Sequence, residues 1–367
     1  MNRRRVLLVS NRRPEDAGGR AEKVATRQRL LADHGWDVTV GYVTEPYVLT
    51  FPSSVWRCLR VAREADVDAV LSINNPFHLH LAGYLVARRL GVPWVAEFRD
   101  PILPRPDLES GSLLRYPAGA VERLAATRAE RVLWYDGIQM PDDYFETTYP
   151  DVDPETFVKL PFMGYEKAKF YATEPERFDR FTITYAGSFY EGWIEPYGFL
   201  AGLGRYTDRE RDPDLNAQFY GDWTDDYDAA ATTAGVTDLV STHEFVPHEE
   251  IVPILKGSDA VLYVGGDDPD NARNVPSKIF DYVGARTPIL AIVDPDFRVA
   301  SFIEDNGLGV IARPDDPEAI ADAIEQLRTG AFEYNPDPEI FDRYTREASA
   351  ERIAGELDAA VTDSGRQ

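Results

Sequence analysis

Residues 275–291 read VPSKIFDYVGARTPILA, and this stretch decides the fold. A turn containing Pro276 leads into a short apolar-faced helix, and Pro288 separates that helix from the apolar run at 289–291. A helix followed closely by a buried strand is the repeating unit of α/β folds. The stretch therefore predicts one helix–strand unit of a parallel sheet.

The same alternation extends outward along the chain and predicts parallel sheets throughout. In the first half we expect strands at 5–10, 37–43, 69–73, 94–98, 131–135 and 157–160, and helices near 21–34, 53–65, 77–90, 113–129 and 139–147. In the second half we expect strands at 182–186, 217–220, 239–242, 260–264, 289–292 and 309–311, with helices between them and a last helix at about 339–361.

Residues 161–180 interrupt this alternation with prolines, a glycine and mixed charges, which is typical of an interdomain linker. The expected domains are an N-terminal one at 1–165, a linker at 166–180, a C-terminal one at 181–338, and a terminal helix and tail at 339–367. Doubly wound sheets bind ligands at the carboxyl ends of their strands, so we expect the two domains to face a cleft.

The segment 275–291 resembles the donor site of GT4-like retaining glycosyltransferases. The matching positions are Pro276, Ser277, Lys278, Ile279, Phe280, Asp281, Tyr282, Pro288, Ile289, Leu290 and Ala291. The resemblance implies the GT-B fold: two Rossmann-like, doubly wound domains facing a cleft, with the C-terminal helix packing back on the first. It also implies retaining hexosyl transfer from a nucleotide-diphosphate sugar to a lipid-linked or cell-surface glycan, without a metal. No cofactor is expected, because the nucleotide-sugar is the donor substrate.

By this resemblance Asp281 takes the place of the acid that binds the nucleotide ribose, and a carboxylate can accept hydrogen bonds from both hydroxyls of a diol. Ser277 opens the helix whose amides can hold a diphosphate, and Lys278 and Arg273 can supply charge to the phosphates. Relatives often carry a second acid eight positions before the first. Arg273 stands there instead, which leaves the identity of the sugar open.

Two further segments resemble the donor domain of the same family. In ITYAGSFYE, residues 183–191, Gly187 and Ser188 would bring backbone amides to the diphosphate. In HEFVPHEE, residues 243–250, backbone atoms of Phe245 and Val246 could read the nucleobase, although an ordinary β-to-α turn fits equally well.

The N-terminal half contains candidates of its own. Gly18 and Gly19 lie between the first strand and helix, where a close backbone approach to the donor, or a plain turn, is expected.

Polar residues follow two strands of the N-terminal half. They are Asn74 and Asn75, and Arg99 and Asp100 of the EFRDP motif. We expect these four on the acceptor side, with Asp100 joining Lys278 as a catalytic candidate; an N-cap or an ion pair with Arg99 would also explain Asp100. His78 and His80 are too close in sequence to share a helix face, so we expect no metal site.

The charge is strongly acidic and uneven. The net charge is −24, and 33 Arg stand against 6 Lys. Residues 1–170 hold 23 basic and 23 acidic side chains, whereas residues 171–367 hold 16 and 40. This surface suits a halophile, and a haloarchaeon in particular; a GC-rich genome would also favour Arg over Lys. We expect no nucleic-acid partner.

Cellular location is constrained by what the sequence lacks. The apolar run after the first arginines is too short for a signal peptide, and no stretch reaches the length of a membrane span. We expect a cytoplasmic protein. The basic helix at 53–65 contains Trp56 and would suit peripheral contact with the inner face of the plasma membrane. A helix that faces the core and exposes its arginines to solvent fits the sequence at least as well.

Three other functions compete with glycosyl transfer. A sugar-nucleotide epimerase would share the donor site, and a non-catalytic GT-B module would bind a partner enzyme instead. A two-lobed sugar-binding protein is disfavoured by the donor-like segment and by the missing signal peptide.

Overall fold

The computed structural model describes residues 3–16, 19–103, 113–162, 164–210 and 213–365, and it leaves the side chains of residues 19, 20, 48 and 270 undescribed. The chain forms two compact units. Unit 1 comprises Met1–Met163 together with Arg346–Gln367, and unit 2 comprises Gly164–Thr345.

The described helices alternate with the strands. They are α1 (Gly19–Asp33), α2 (Tyr47–Ala65), α3 (His78–Leu90), α4 (Arg115–Arg128), α5 (Tyr144–Thr148), α6 (Lys167–Ala172), α7 (Tyr197–Arg209), α8 (Asp225–Thr233), α9 (His248–Gly257), α10 (Ser277–Ala285), α11 (Arg298–Asp305), α12 (Pro317–Thr329), α13 (Ile340–Arg343) and α14 (Arg346–Ser364). The described residues also form three short 3-10 turns, Pro154–Thr156, Thr237–Leu239 and Pro269–Asn271.

Unit 1 is built on a six-stranded parallel sheet with the order β2-β1-β3-β4-β5-β6. Its strands are β1 (Arg4–Ser10), β2 (Trp36–Tyr42), β3 (Ala69–Ile73), β4 (Trp94–Phe98), β5 (Arg131–Tyr135) and β6 (Phe157–Leu160). Helices cover both faces of a parallel sheet, so its central strands are apolar nearly throughout, and every residue of β3 and β4 is buried.

Unit 2 contains the second six-stranded parallel sheet, with the order β12-β11-β10-β7-β8-β9. Its strands are β7 (Phe181–Gly187), β8 (Leu215–Gly221), β9 (Val240–His243), β10 (Ala260–Gly266), β11 (Ile289–Val293) and β12 (Gly309–Ala312). The sequence prediction of two doubly wound parallel sheets is confirmed, and all twelve expected strands are present.

The C-terminal helix α14 belongs to unit 1, where it packs against α1, as the resemblance implied. Its last turns are held by ion pairs: Arg4 contacts Asp358 at 2.6 Å, and Arg131 contacts Glu356 at 3.2 Å and Asp363 at 2.7 Å.

The expectation of one continuous helix at 339–361 is wrong. The chain forms α13 and α14 with a break at Tyr344 and Thr345. Tyr344 leaves the helical region, and Thr345 pairs instead with Tyr165 in a parallel bridge. A Cβ on Gly164 would lie 2.1 Å from the Tyr344 carbonyl oxygen, so this close backbone contact needs glycine. The break lies at the boundary between unit 2, which ends at Thr345, and α14 of unit 1.

The expected linker at 166–180 contains α6, whose Phe170 is fully buried. Its main chain is tied into unit 2, because the Lys256 ammonium donates to the carbonyl oxygens of Phe170 (2.7 Å) and Thr173. Residues 166–180 therefore pack as part of unit 2.

Helix α2 begins at Tyr47, six residues before its expected start, and α5 is shorter than expected. The buried face of α2 consists of Ser54, Cys58 and Ala62. Trp56 lies outward, with 60% of its surface exposed and the Arg60 guanidinium 5.3 Å from its ring centroid. Across the described ranges, no helix has the length and apolar character needed to cross a membrane.

Candidate functional site

The sheet of unit 2 opens between β7 and β10, where the order of its strands reverses. The pairing of these two strands covers Ile183 with Ala260 and Thr184 with Val261. Both strands continue beyond this pairing, to Gly187 and Gly266. A crevice at the carboxyl ends of the strands on either side of such a switch point is the usual ligand site of doubly wound sheets.

Tyr282 of α10 lies where the two strands part. Its hydroxyl donates to the Leu262 carbonyl oxygen of β10 at 2.9 Å, and it also interacts with the Ala186 backbone of β7. Burial raises the pKa of this phenol well above its usual range, so it remains a neutral donor. One tyrosine thus satisfies backbone groups of both strands that a continuous ladder would otherwise pair.

Lys278 lies in the first turn of α10 and points to the end of β7. Its Nζ donates to the Tyr185 hydroxyl at 3.2 Å and lies 4.4 Å from the centroid of that ring. A Cβ on Gly187 would lie only 2.9 Å from the same Nζ. Within the described ranges no carboxylate comes within ion-pair distance of this ammonium, and burial lowers the pKa of Lys278 to about 8.

Two glycines pair at the ends of β7 and β8. Gly187 and Gly221 are register partners and have φ values of 138° and 144°. A Cβ on Gly221 would lie 2.1 Å from the Gly187 carbonyl oxygen and 3.4 Å from the Phe245 ring. Only glycine can adopt this backbone conformation at Gly187 and Gly221. Because glycine has no side chain, the backbone next to Lys278 can approach a ligand closely.

The remaining donor-side candidates near Lys278 differ in how far they are exposed to solvent. The Asp281 carboxylate, one turn along α10 from Lys278, lies 3.3 Å from His248 Nε2, and both side chains are partly exposed. Ser277 and Arg273 are exposed, and Phe245 exposes 57% of its surface while Val246 is partly buried. Ser188 accepts a hydrogen bond from the Tyr185 hydroxyl through its carbonyl oxygen at 2.8 Å.

The loop after β10 contains one unsatisfied donor. Asn271 Nδ2 is buried without a hydrogen-bond partner in the described part of the chain. The side chain of Asp270 next to it is not described.

In unit 1 the four predicted acceptor-side residues lie together at the carboxyl ends of the neighbouring strands β3 and β4. Asn74 accepts from the Arg99 amide at 2.8 Å and donates to the Asp100 carbonyl oxygen at 2.5 Å. Asn75 Nδ2 donates to the Asp100 carboxylate at 2.9 Å. The Asp100 carboxylate is thus held by an amide and not by Arg99.

Arg99 instead binds Glu97, a residue that the sequence reasoning did not single out. Glu97 is fully buried at the end of β4 and contacts Arg99 at 3.1 Å, the Tyr135 hydroxyl at 2.8 Å and Arg27. Burial by itself would raise the pKa of Glu97, but the two guanidiniums hold that pKa down at about 2. Two arginines thus share the Glu97 carboxylate.

The pKa values of the two arginines in this cluster are shifted in opposite directions. Burial and repulsion by Arg27 lower the pKa of Arg99, whereas Glu97 pulls the pKa of Arg27 upward against burial. Arg99 is the more exposed of the two guanidiniums, with 23% of its side chain accessible against 6% for Arg27. An anion near Arg99 would relieve the repulsion between the two guanidiniums.

The two histidines of α3 lie in separate environments, as their spacing indicated. His80 is fully buried and its Nδ1 lies 2.8 Å from Ser72 Oγ, which also accepts from Trp94 Nε1. Burial lowers the pKa of His80 to about 3 and that of His78 to about 4. The described residues contain no cluster of three or more His, Cys, Asp or Glu side chains that could hold a metal ion.

The prediction for Gly18 lies outside the described residues. Gly19 is the first residue of α1, but its surroundings are not described, so both assignments stay predictions.

The missed residues had signals in the sequence. Glu97 is the one charged residue within WVAEF, an otherwise apolar strand, and a charge in such a strand must be paired. Arg27 could not be identified as its partner, because the two residues are 70 positions apart.

Comparisons with known proteins place the chain by fold. No protein-family profile matches it, and no curated protein matches it in sequence. Among solved structures, the lipopolysaccharide outer core galactosyltransferase WaaB superposes with a TM-score of 0.62 at 11% identity, over 97% of this chain and 99% of that one.

Two further structures cover the chain as fully. Sucrose-phosphate synthase from Thermosynechococcus elongatus has a TM-score of 0.57 at 13% identity, and HepE from Anabaena in complex with UDP has 0.57 at 14%. Each alignment covers 99% of this chain and 98% of the other. At these identities the likeness shows the fold alone: the chain has the GT-B fold, with two Rossmann-like domains.

Proposed function

We propose that the protein is a glycosyltransferase of the GT4-like type, which moves a hexose from a nucleotide-diphosphate sugar to a hydroxyl of a lipid-linked or cell-surface glycan. One observation carries this proposal. Unit 2 contains 36 acidic and 15 basic residues, yet Lys278 has no carboxylate partner in the described chain and lies at the switch point of the sheet. A desolvated cation in that place is suited to bind a phosphate.

In the proposed reaction the bond between the anomeric carbon and the diphosphate oxygen breaks. The bond to the acceptor oxygen forms on the same face of the sugar, and the acceptor proton passes to the departing diphosphate. Lys278 stabilises the negative charge that develops on the diphosphate, and the backbone at Gly187 and Ser188 allows its close approach. No metal and no resident cofactor take part in this scheme.

The other residues have positioning roles. Asp281 accepts from the ribose hydroxyls, Phe245 and Val246 lie against the base, and Ser277 and Arg273 flank the phosphates. In unit 1, Asn75 holds the Asp100 carboxylate in place for an acceptor hydroxyl.

Features of unit 1 support an amphiphilic acceptor. Helix α2 exposes 80% of Leu49 and 60% of Trp56 beside its arginines, which suits contact of a cytoplasmic protein with an anionic membrane. We propose a halophilic origin on the acidic composition of the chain.

Binding calorimetry in high salt against UDP, GDP, ADP and dTDP tests the donor site. We expect one nucleotide to bind, and Lys278→Ala and Asp281→Ala each to weaken it about tenfold, the effect of losing one charge-assisted contact. Arg205→Ala is the matched control. It removes one positive charge of unit 2 that already pairs with Asp208 and Glu318, so the affinity should not change.

Assays with the corresponding nucleotide-sugars then separate the possible activities. Release of the nucleotide by transfer or slow hydrolysis supports the proposal. Formation of an epimeric nucleotide-sugar without an acceptor indicates an epimerase, and binding without turnover over the full donor panel indicates a non-catalytic module. Unchanged affinity in both alanine variants would refute the donor-site assignment.

A further inference from the structure

Two aromatic side chains lie exposed on the loop that follows β7. Tyr190 exposes 53% of its surface and Trp193 exposes 38%, and their ring centroids are 5.5 Å apart. A contiguous aromatic surface at the carboxyl edge of a doubly wound sheet is a common feature of ligand sites. Neither residue belongs to the donor site proposed around Lys278 and Asp281.

The backbone fixes where these rings lie. Tyr190 and Ile194 exchange two hydrogen bonds of 2.9 Å, and Gly192 closes the turn with φ of 73°. The carbonyl oxygen of Trp193 lies against Gly266 at the end of β10, so closely that a Cβ there would be 2.6 Å away. The pair is thereby anchored to β10, while its loop leaves β7 next to Lys278.

The groups around the rings indicate which chemistry they suit. Glu191 is exposed within the turn, and Glu195 accepts a hydrogen bond from Tyr227. Residues 188–196 contain no Lys or Arg. Carboxylates repel a phosphate but accept hydrogen bonds from neutral hydroxyls, and an aromatic face packs against the C–H face of a ring.

We propose that Tyr190 and Trp193 form the platform on which the hexose of the donor stacks, with Glu191 accepting from its hydroxyls. A hexose combines an apolar ring face with a rim of hydroxyl donors, which is the complement of this surface. The diphosphate is bound at Lys278, so the sugar attached to it reaches the adjoining loop. The inference rests on the proposed function, and it identifies the residues that would recognise the sugar of the donor.

Matched pairs of ligands test this platform. Dissociation constants are measured by calorimetry for UDP and UDP-glucose, GDP and GDP-mannose, ADP and ADP-glucose, and dTDP and dTDP-glucose. For the nucleotide-sugar that the protein binds, we expect Trp193→Ala to raise the dissociation constant about tenfold. The dissociation constant of the matching nucleoside diphosphate should change by less than about twofold. Trp193→Phe should retain most of the affinity for the sugar, since it keeps an aromatic face.

The controls separate stacking from folding and from nucleotide binding. Tyr116→Ala removes another exposed aromatic side chain, from α4 of unit 1, and should change neither constant. Thermal unfolding verifies that Trp193→Ala is folded. Equal weakening of UDP and UDP-glucose would place the rings against the base and overturn the proposal, and so would unchanged affinity for both. Absence of any nucleotide binding in the unaltered protein would instead overturn the proposed function itself.

Discussion

At the scale of single residues, charged side chains lie at the ends of strands in both candidate sites. Lys278 is bounded by the Tyr185 ring and the Gly187 backbone, and Glu97 balances two guanidiniums with one carboxylate. A buried charge without full compensation is costly unless a ligand completes it. Both units therefore place a cationic side chain, Arg99 or Lys278, at the carboxyl ends of strands, although the protein as a whole is strongly acidic.

The lowered pKa of Lys278 predicts a pH-dependent affinity for a nucleoside diphosphate. With a pKa of about 8 in the free protein, nine-tenths of the ammonium loses its proton by about pH 9. The affinity should therefore fall about tenfold between about pH 7 and pH 9, because only the protonated form attracts the phosphates. Calorimetric titration over this range measures the effect.

Lys278→Arg provides the control for this pH profile, because a guanidinium stays protonated throughout. Its affinity should vary little with pH. A flat profile in the unaltered protein would show that Lys278 does not face the phosphates.

At the scale of elements, the carboxyl ends of β7, β8 and β10 are shaped by what lies between them. Tyr282 interacts with the backbones of β7 and β10 where their pairing ends, and paired glycines end β7 and β8. The strand ends and α10 therefore form the crevice together.

Gly221→Ala should damage this edge. Its φ of 144° is strained for alanine, and the new Cβ would overlap the Gly187 carbonyl oxygen. We expect a loss of about 2 kcal/mol or more in the stability of unit 2, together with weaker nucleotide binding. Calorimetric unfolding and a binding titration measure the two effects.

Gly355→Ala is the matched control within α14, where a Cβ would meet nothing within 4 Å. It should stabilise the helix by about 0.5–1 kcal/mol and leave nucleotide binding unchanged. Equal melting temperatures of the two variants would contradict the constraint at Gly221.

At the scale of the whole molecule, charge divides the chain along its structural units. Unit 2 contains 36 acidic and 15 basic residues, whereas unit 1, with its C-terminal helix, contains 27 and 24. Mutual repulsion among the acids of unit 2 is screened only when salt shortens the Debye length.

Lowering the salt concentration should therefore loosen unit 2 first. Hydrogen exchange followed by peptide mass spectrometry should show faster exchange in residues 164–345 than in unit 1 as KCl is reduced from about 2 M to about 0.1 M. Earlier opening of unit 1 would mean that packing, and not repulsion, limits stability at low salt.

The sequence by itself determined the two parallel sheets, because alternating apolar strands and amphipathic helices have few other ways to bury their faces. It also identified residues that meet through neighbouring strand ends, as Asn74, Asn75, Arg99 and Asp100 do. Such proximity follows from local order along a sheet.

Only the tertiary structure decided which distant groups meet. Arg27 reaches Glu97 across 70 positions, and Lys278 meets Tyr185 across 93. It also divided the expected last helix at Tyr344 and Thr345, because Thr345 pairs with Tyr165. Pattern and propensity act over a few residues, whereas the pairing of buried charges and the ends of helices depend on neighbours that only the folded chain brings near.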